Sequence, residues 1–131
     1  MGPQPLLIDT DVLIDYLRGR SEAISYVESL TAPLILSVIT VAELYSGVRE
    51  GEERAALDNF VSAFEVIPVN DEIAVQGGLY RRDYGKSHNV GLADAIIAAT
   101  AVSRGATLVT LNRKHFPMLP AALVFVPYTK S

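Results

Sequence analysis

The stretch Leu6-Leu7-Ile8-Asp9-Thr10-Asp11-Val12-Leu13-Ile14-Asp15-Tyr16-Leu17 narrows the possible folds more than any other part of the chain. Leu6 to Ile8 form a short apolar run preceded by Pro3 and Pro5, which reads as a buried strand. From Asp11 the apolar residues Val12, Leu13, Tyr16 and Leu17 fall on one face of a helix, and Gly19 ends it. Asp9 therefore stands where a strand stops and a helix starts. In open α/β sheets that rim is where ligands bind. A carboxylate there is either a helix cap or a metal ligand.

The alternation continues along the chain. Ser21 is expected to cap a helix to about Leu30, broken by Pro33, and Leu34 to Val38 is a second apolar strand. Thr40 to Val48 reads as a helix stopped near Gly47 or Gly51, and Glu52 to Phe64 as an amphipathic one. Val66 to Val69 is a brief strand whose Pro68 suits an edge or a strand end. Asn70 or Asp71 caps a helix to about Tyr84, Gly85 to Gly91 is a polar connection, and Leu92 to Arg104 has almost no polar face. Thr107 to Thr110 is a strand, Asn112 to Phe116 a turn or short helix, and Leu123 to Val126 a last strand. Strands alternating with helices predict an α/β fold: a three-layer α/β/α sandwich with a central parallel sheet of four to five short strands. With 131 residues and no linker or repeat, the sequence predicts one domain over 1–131.

Composition limits the function classes. Apolar residues make up 50% of the chain and charged ones 20%, which describes a globular protein. There is no cysteine, hence neither a disulfide nor a thiolate metal site. No apolar run approaches the ~20 residues of a membrane span, and no secretory pattern opens the chain, so a soluble, cytoplasmic protein without membrane contact is expected. The net charge of −4 argues against nucleic-acid binding through a broad basic face, but leaves room for an acidic pocket that binds cations.

Three acids stand in apolar surroundings, each near a helix start. Asp9 follows the first strand, with Asp11 close by, and one of the two caps the first helix. Asp15, one turn on from Asp11, reads as a solvated surface acid. Glu43 completes a Thr40-Val41-Ala42-Glu43 capping box, yet it is also the only charged side chain between Val38 and Arg49. Asp94 lies in the first turn of the apolar helix, where the helix dipole favours an acid, and its own helix supplies no basic residue before Arg104. Parallel strands bring such helix starts to one sheet edge, where unneutralised carboxylates repel one another. Oxygen donors without cysteine or a histidine pair suit Mg²⁺ or Mn²⁺, and such ions point to phosphoryl-transfer chemistry.

Four blocks carry a resemblance: Leu6 to Ile14 with Asp9 and Asp11, Ser37 to Leu44 with Gly47, Leu92 to Ala99, and Thr110 to Phe116. In order and spacing they resemble the PIN-domain ribonucleases, and most closely the VapC toxins of bacterial toxin–antitoxin pairs. The resemblance implies a PIN-like fold and a metal-dependent endoribonuclease that cleaves RNA phosphodiesters with a metal-activated water. Asp9, Glu43 and Asp94 match the family's acidic ligands for Mg²⁺ or Mn²⁺. Thr10, Asp11, Thr40, Asn112 and His115 would orient the acids or touch substrate. Many members carry a fourth acid where this chain offers Asn112 and His115, so one firm metal site and a weaker second one are expected. For His115 a partly exposed turn residue beside Phe116 is the competing reading. Arg81, Arg82, Lys86, His88, Arg113 and Lys114 are candidates for the RNA backbone. The resemblance further implies a homodimer and a cognate VapB-type antitoxin whose C-terminal segment lies across the active-site groove.

Two other readings compete. Leu7-Ile8-Asp9-Thr10-Asp11-Val12 also fits the first motif of haloacid-dehalogenase-like phosphatases, with Asp9 as nucleophile, Asp11 as general acid, and Thr110 and Lys114 in later motifs. That family expects a further acidic pair, and no Asp or Glu follows Asp94. The second is a catalytically weak PIN-fold binding module acting only through its partner.

Overall fold

The computed structural model describes residues 4–130, so Pro3 of the first strand's flank lies outside the described residues. In chain order the elements are β1 (Leu6–Ile8), α1 (Thr10–Leu17), α2 (Ser21–Ser29), β2 (Leu34–Ser37), α3 (Val38–Ser46), α4 (Glu52–Ser62), β3 (Glu65–Ile67), α5 (Asp71–Tyr84), α6 (Leu92–Ser103), β4 (Thr107–Val109) and β5 (Val124–Phe125). Two 3₁₀ turns, Arg113–His115 and Ala121–Leu123, link the last two strands. The strands form one five-stranded sheet in the order β3-β2-β1-β4-β5, and every pair is parallel. This is the predicted α/β architecture.

Two-residue alternation along each strand builds a core on both faces. Leu7, Ile35, Ile67 and Leu108 point to one side and pack with Ile73 of α5 and Ile97, Ala98 and Ala101 of α6. Their neighbours Ile8, Leu36 and Val109 point to the other side, against Val12 and Leu13 of α1, Leu44 of α3 and Leu57 of α4. Burying one such Leu or Ile contributes about 1.5–3 kcal/mol. A parallel strand buried on both faces must read as a continuous apolar run, which is the pattern of Leu6–Ile8 and Leu34–Leu36.

Several boundaries differ from expectation for local reasons. The helix after β2 begins at Val38 and not at Thr40, because the Ser37 hydroxyl accepts from the Ile39 N–H at 3.0 Å and so caps it two residues earlier. Ser21 does not cap α2: the cap position falls on Arg20, no side-chain cap forms, and the Ser21 hydroxyl turns to Glu22. β3 covers Glu65–Ile67 because Pro68 has no N–H to extend the ladder. Asn70 caps α5 as expected, accepting from the Ile73 N–H at 2.8 Å. α6 is less enclosed than its composition predicts, since Leu92 and Val102 are about half exposed while the stretch from Ile97 to Ala101 is buried. Among the described residues no helix is long and apolar enough to cross a membrane.

The α5–α6 contact is close at Gly77, where an added Cβ would stand 2.9 Å from Ile96 Cγ1 and 3.1 Å from its Cα. Next to it, a Cβ on Gly78 would meet nothing within 4 Å. Gly78→Ala should therefore raise stability by about 0.5–1 kcal/mol through helix propensity alone. Gly77→Ala should lower it, because pushing the Ile96 backbone aside costs about 1–3 kcal/mol and outweighs the same gain. Urea melts of the two variants would check this, and equal midpoints would show that α6 yields freely.

Candidate active site

The chain passes from β1 to β2 and on to β3 over one face of the sheet, then returns over the other face to β4 on the far side of β1. The order reverses between β1 and β4, and a crevice opens beyond the carboxyl ends of these strands. Asp9 is the first residue after β1 and Thr110 the first after β4. α6 turns at Gly105 directly into β4, so it runs against the strands and starts, with Asp94, at the same edge.

Asp9 is both a cap and a crevice residue. Its Oδ1 accepts from the Thr10 N–H at 2.8 Å at the start of α1, and its Oδ2 accepts from the Thr110 hydroxyl at 2.8 Å. Its own N–H donates to the Val109 carbonyl at 2.8 Å and fixes it to the neighbouring strand. Asp11 leans the other way: Oδ1 accepts from the Val12 N–H at 2.8 Å, and Oδ2 accepts from the Leu111 N–H at 3.0 Å. Asp11 Oδ2 also lies 3.4 Å from both the Thr110 hydroxyl and the Asn112 amide nitrogen. The Asn112 N–H in turn donates to Thr110 Oγ1 at 3.1 Å, so one buried hydroxyl joins three residues of the rim.

The capping box at Thr40 does not form. With Ser37 as cap, Thr40 lies inside the first turn of α3 and is fully buried, and Glu43 projects beyond it at an exposed position. There Glu43 Oε1 accepts from the Thr10 hydroxyl at 2.7 Å, which lies 3.1 Å from Thr40 Oγ1. α1 and α3 are thus tied beside the crevice through the two threonines. Asp94 finds its basic partner on another element: Oδ2 lies 3.3 Å from Nδ1 of His115, whose side chain is 39% exposed, in the turn after β4. His115 thus fits both of its readings, as a partly exposed turn residue and as a member of the rim.

The acids feel one another. Burial pushes the Asp9 carboxyl up to about 7 and the Asp11 charge adds to the rise, while the bonds from Thr110 and the Thr10 N–H hold it back. Burial also raises Asp11, against the Leu111 and Val12 N–H bonds. Asp94 is raised by burial and by the charges of Glu43 and Asp11, and lowered by His115. Like charges gathered in partly desolvated surroundings are the kind of perturbation that clusters at functional sites. Yet among the described residues no three His, Asp or Glu side chains close into a metal-holding group. Both Asp9 oxygens, one Glu43 oxygen and one Asp94 oxygen are engaged by threonines, an N–H and the imidazole.

Other candidates fall elsewhere. Asp15 is not a solvated acid: it is 5% exposed, accepts from the Tyr128 hydroxyl at 2.8 Å and pairs with Lys130 at 2.9 Å. Burial alone would raise its carboxyl, but those contacts outweigh burial and lower it. The Arg113 guanidinium donates to the carbonyls of Ala121 and Val124 at 3.2 and 2.8 Å, bracing the two 3₁₀ turns. Arg82 pairs with Asp83 at 2.8 Å and Arg81 folds over Gly85. Lys86, His88 and Lys114 are exposed. Thr110 was read in the sequence as a strand end and as a motif residue of the phosphatase alternative, and its contact with Asp9 was missed, because a partner about a hundred residues away leaves no local signal.

A family model described as the PIN domain matches residues 6–119. A protein named Ribonuclease VapC10 from Mycobacterium tuberculosis is 42% identical over 116 residues, covering 86% of each chain. A second from that organism, Ribonuclease VapC19, is 41% identical over 118 residues, covering 87% of this chain and 94% of its own. Among solved structures, a toxin–antitoxin complex from Klebsiella pneumoniae superposes with a TM-score of 0.82 at 31% identity, covering 95% of this chain and 99% of that one. With its parallel five-stranded sheet and a rim of acids at the switch point, the chain belongs to the PIN-domain family, among the VapC ribonucleases.

Proposed function

We propose that this protein is a metal-dependent endoribonuclease, the toxin of a VapBC-type pair, with its active site at the β1/β4 crevice. The observation that carries the reading is the gathering of Asp9, Asp11, Glu43 and Asp94 at one sheet edge, where burial and mutual repulsion lift Asp9 to about 7. Oxygen donors in that state fit a hard divalent cation, Mg²⁺ or Mn²⁺, held by Asp9, Glu43 and Asp94. Such an ion supplies an activated water and offsets charge on the phosphate. The chain's own residues do the rest. Thr110 aims Asp9, and Thr10, backed by Thr40, aims Glu43. Asp11 holds the Leu111 N–H and the Asn112 side-chain amide against α1; that amide and His115 would face the phosphate. Lys86, Lys114, Arg81 and Arg82 offer positive charge to the RNA backbone on either side of Asp94, whereas Arg113 acts by bracing its turn.

The partners are a VapB-type antitoxin and a second copy of the chain. A groove of about 630 Å³ between α1, α3 and α4 sets Ile14, Leu17, Leu44, Val48 and Leu57 beside the charged Arg18, Arg49 and Glu53, and Glu43 is part of its lining. An antitoxin segment seated there would reach the acids. Nothing favours the phosphatase reading, which leaves Glu43 and Asp94 without a role and requires as general acid an Asp11 that is tied to the Leu111 N–H.

The test is cleavage of single-stranded RNA with Mn²⁺, with EDTA, and by Asp94→Asn. Chelation and the substitution should each reduce cleavage by on the order of 10²–10³-fold. Full cleavage in EDTA would remove the metal from the reaction, and release of phosphate from a phosphomonoester with RNA left intact would favour the phosphatase.

A further inference from the structure

The C-terminal segment 126–130 is fastened to the flank of α1 by a polar cluster that the cleavage chemistry does not use. Asp15, 5% exposed, holds the Tyr128 hydroxyl at 2.8 Å and the Lys130 ammonium at 2.9 Å. Arg20 adds to it from the end of α1: its Nε lies 3.9 Å from Asp15, and its guanidinium stands 5.8 Å from the centre of the Tyr128 ring. Removing the strap would leave the buried Asp15 carboxylate without its main partners, which favours the fastened position.

The strap borders an open cleft of about 320 Å³. One wall is the rim of the active site, Asp11, Leu111 and Asn112, and the other is Val126, Tyr128, Thr129 and Lys130 of the strap. Leu111 and Val126 offer an apolar surface, Asn112 and Thr129 offer groups that both donate and accept, and Lys130 is its one cation. An ammonium has three donors, and Asp15 uses one of those on Lys130. The cavity is continuous with the catalytic crevice through Asp11 and Asn112, both of which meet Thr110.

We propose that this cavity is a subsite for one nucleotide of the RNA strand next to the cleaved bond, with its base against Leu111 and Val126 and its phosphate on Lys130. A cleft of this size fits one nucleotide, and its two aliphatic side chains, Leu111 and Val126, set among the polar groups of Asn112, Tyr128, Thr129 and Lys130, give a base and its sugar phosphate surfaces of both kinds. Asp15 is a positioning residue: it anchors the Lys130 ammonium at the edge of the cleft and fixes the wall through Tyr128. The strap thereby places positive charge beside a rim that is otherwise acidic, so an overall acidic chain can hold a polyanion at this spot.

The inference rests on the ribonuclease reading, and the experiment separates the two. Binding of a fluorescent single-stranded RNA oligonucleotide is followed by anisotropy at several salt concentrations, in the cleavage-deficient Asp94→Asn background. Lys130→Gln should weaken binding several-fold and reduce the slope of log K against log salt by about 0.7, the signature of one lost phosphate contact. Thr129→Trp, which fills the cavity without touching the Asp15 contacts, should weaken binding about 10-fold at every salt concentration. Parent-like affinity and slope in both variants would overturn the subsite and leave the ribonuclease reading standing. A parent that binds no RNA would overturn both.

Discussion

Asp9→Asn should abolish RNA cleavage and at the same time make the cation-free protein more stable. The loss of activity follows from removing a charge proposed to hold the metal, and is expected to be on the order of 10³-fold. The gain follows from burial and repulsion. Asp9 is buried beside Asp11, and its carboxyl is lifted from 3.8 to about 7. A carboxyl raised on folding supplies stability that is complete below pH 3.8 and is lost as pH rises through about 7. Asparagine keeps the capping oxygen for the Thr10 N–H and its amide can donate to Thr110 Oγ1, so the change removes charge and retains the bonds. At pH 8 the substitution should raise stability by about 1–2 kcal/mol, or roughly 3–8 °C in Tm, with the gap narrowing toward pH 5 and closing only below 3.8. Millimolar Mn²⁺ should raise the wild-type Tm and leave the variant where it was. Thermal melts at the two pH values, with and without the ion, contain the whole test. A variant less stable than wild type at pH 8 would mean that Asp9 is a structural acid and not a strained functional one.

What was legible in the sequence is what local pattern determines. Leu6–Ile8 and Leu34–Leu36 are apolar throughout because both faces are covered, and their alternation with helices leads to a parallel sheet. Asp9 was legible because a strand end and a helix start meet there. The start of α3 was not. Ser37-Val38-Ile39-Thr40-Val41-Ala42-Glu43 offers two capping hydroxyls three residues apart, and the choice is made by pairing, since Ser37 is the last β2 residue to find a partner, Ile67 of β3. Once Ser37 caps, Thr40 is carried inward and Glu43 outward, toward Thr10.

Partners far apart in sequence were equally hidden. Asp94 lacks a basic neighbour on its own helix, and only folding brings it His115. Asp15 reads as a surface acid until the strap lays Tyr128 and Lys130 over it. In both cases the sequence shows a lone carboxylate, whereas the energetics depend on which side chain from another element reaches it. Exposed apolar residues mislead in the opposite direction: Leu92 and Val102 continue the α6 pattern yet stand half in solvent, because a helix against one face of a sheet needs only one buried side.

Thr110→Val keeps the shape of a buried side chain and removes a hydroxyl on which three rim residues converge, which makes it the sharpest probe of how the acids are aimed. Valine leaves the buried Asp9 Oδ2 without its 2.8 Å donor and the half-buried Asn112 N–H without its 3.1 Å acceptor. An unsatisfied buried group costs about 1–3 kcal/mol, so the variant should lose roughly that much stability. The bond from Thr110 is the strongest influence holding the Asp9 carboxyl down, so its loss should lift that carboxyl further. The proposed chemistry needs Asp9 ionised, so the acid limb of the pH–kcat/KM profile should move to higher pH and activity at pH 7 should fall by about 10–100-fold. Thr110→Ser, which keeps the hydroxyl, should restore the limb. A purely structural role would lower the melting temperature and leave the profile where it is; a shifted limb rescued by serine would establish that β4 aims the nuclease's central carboxylate.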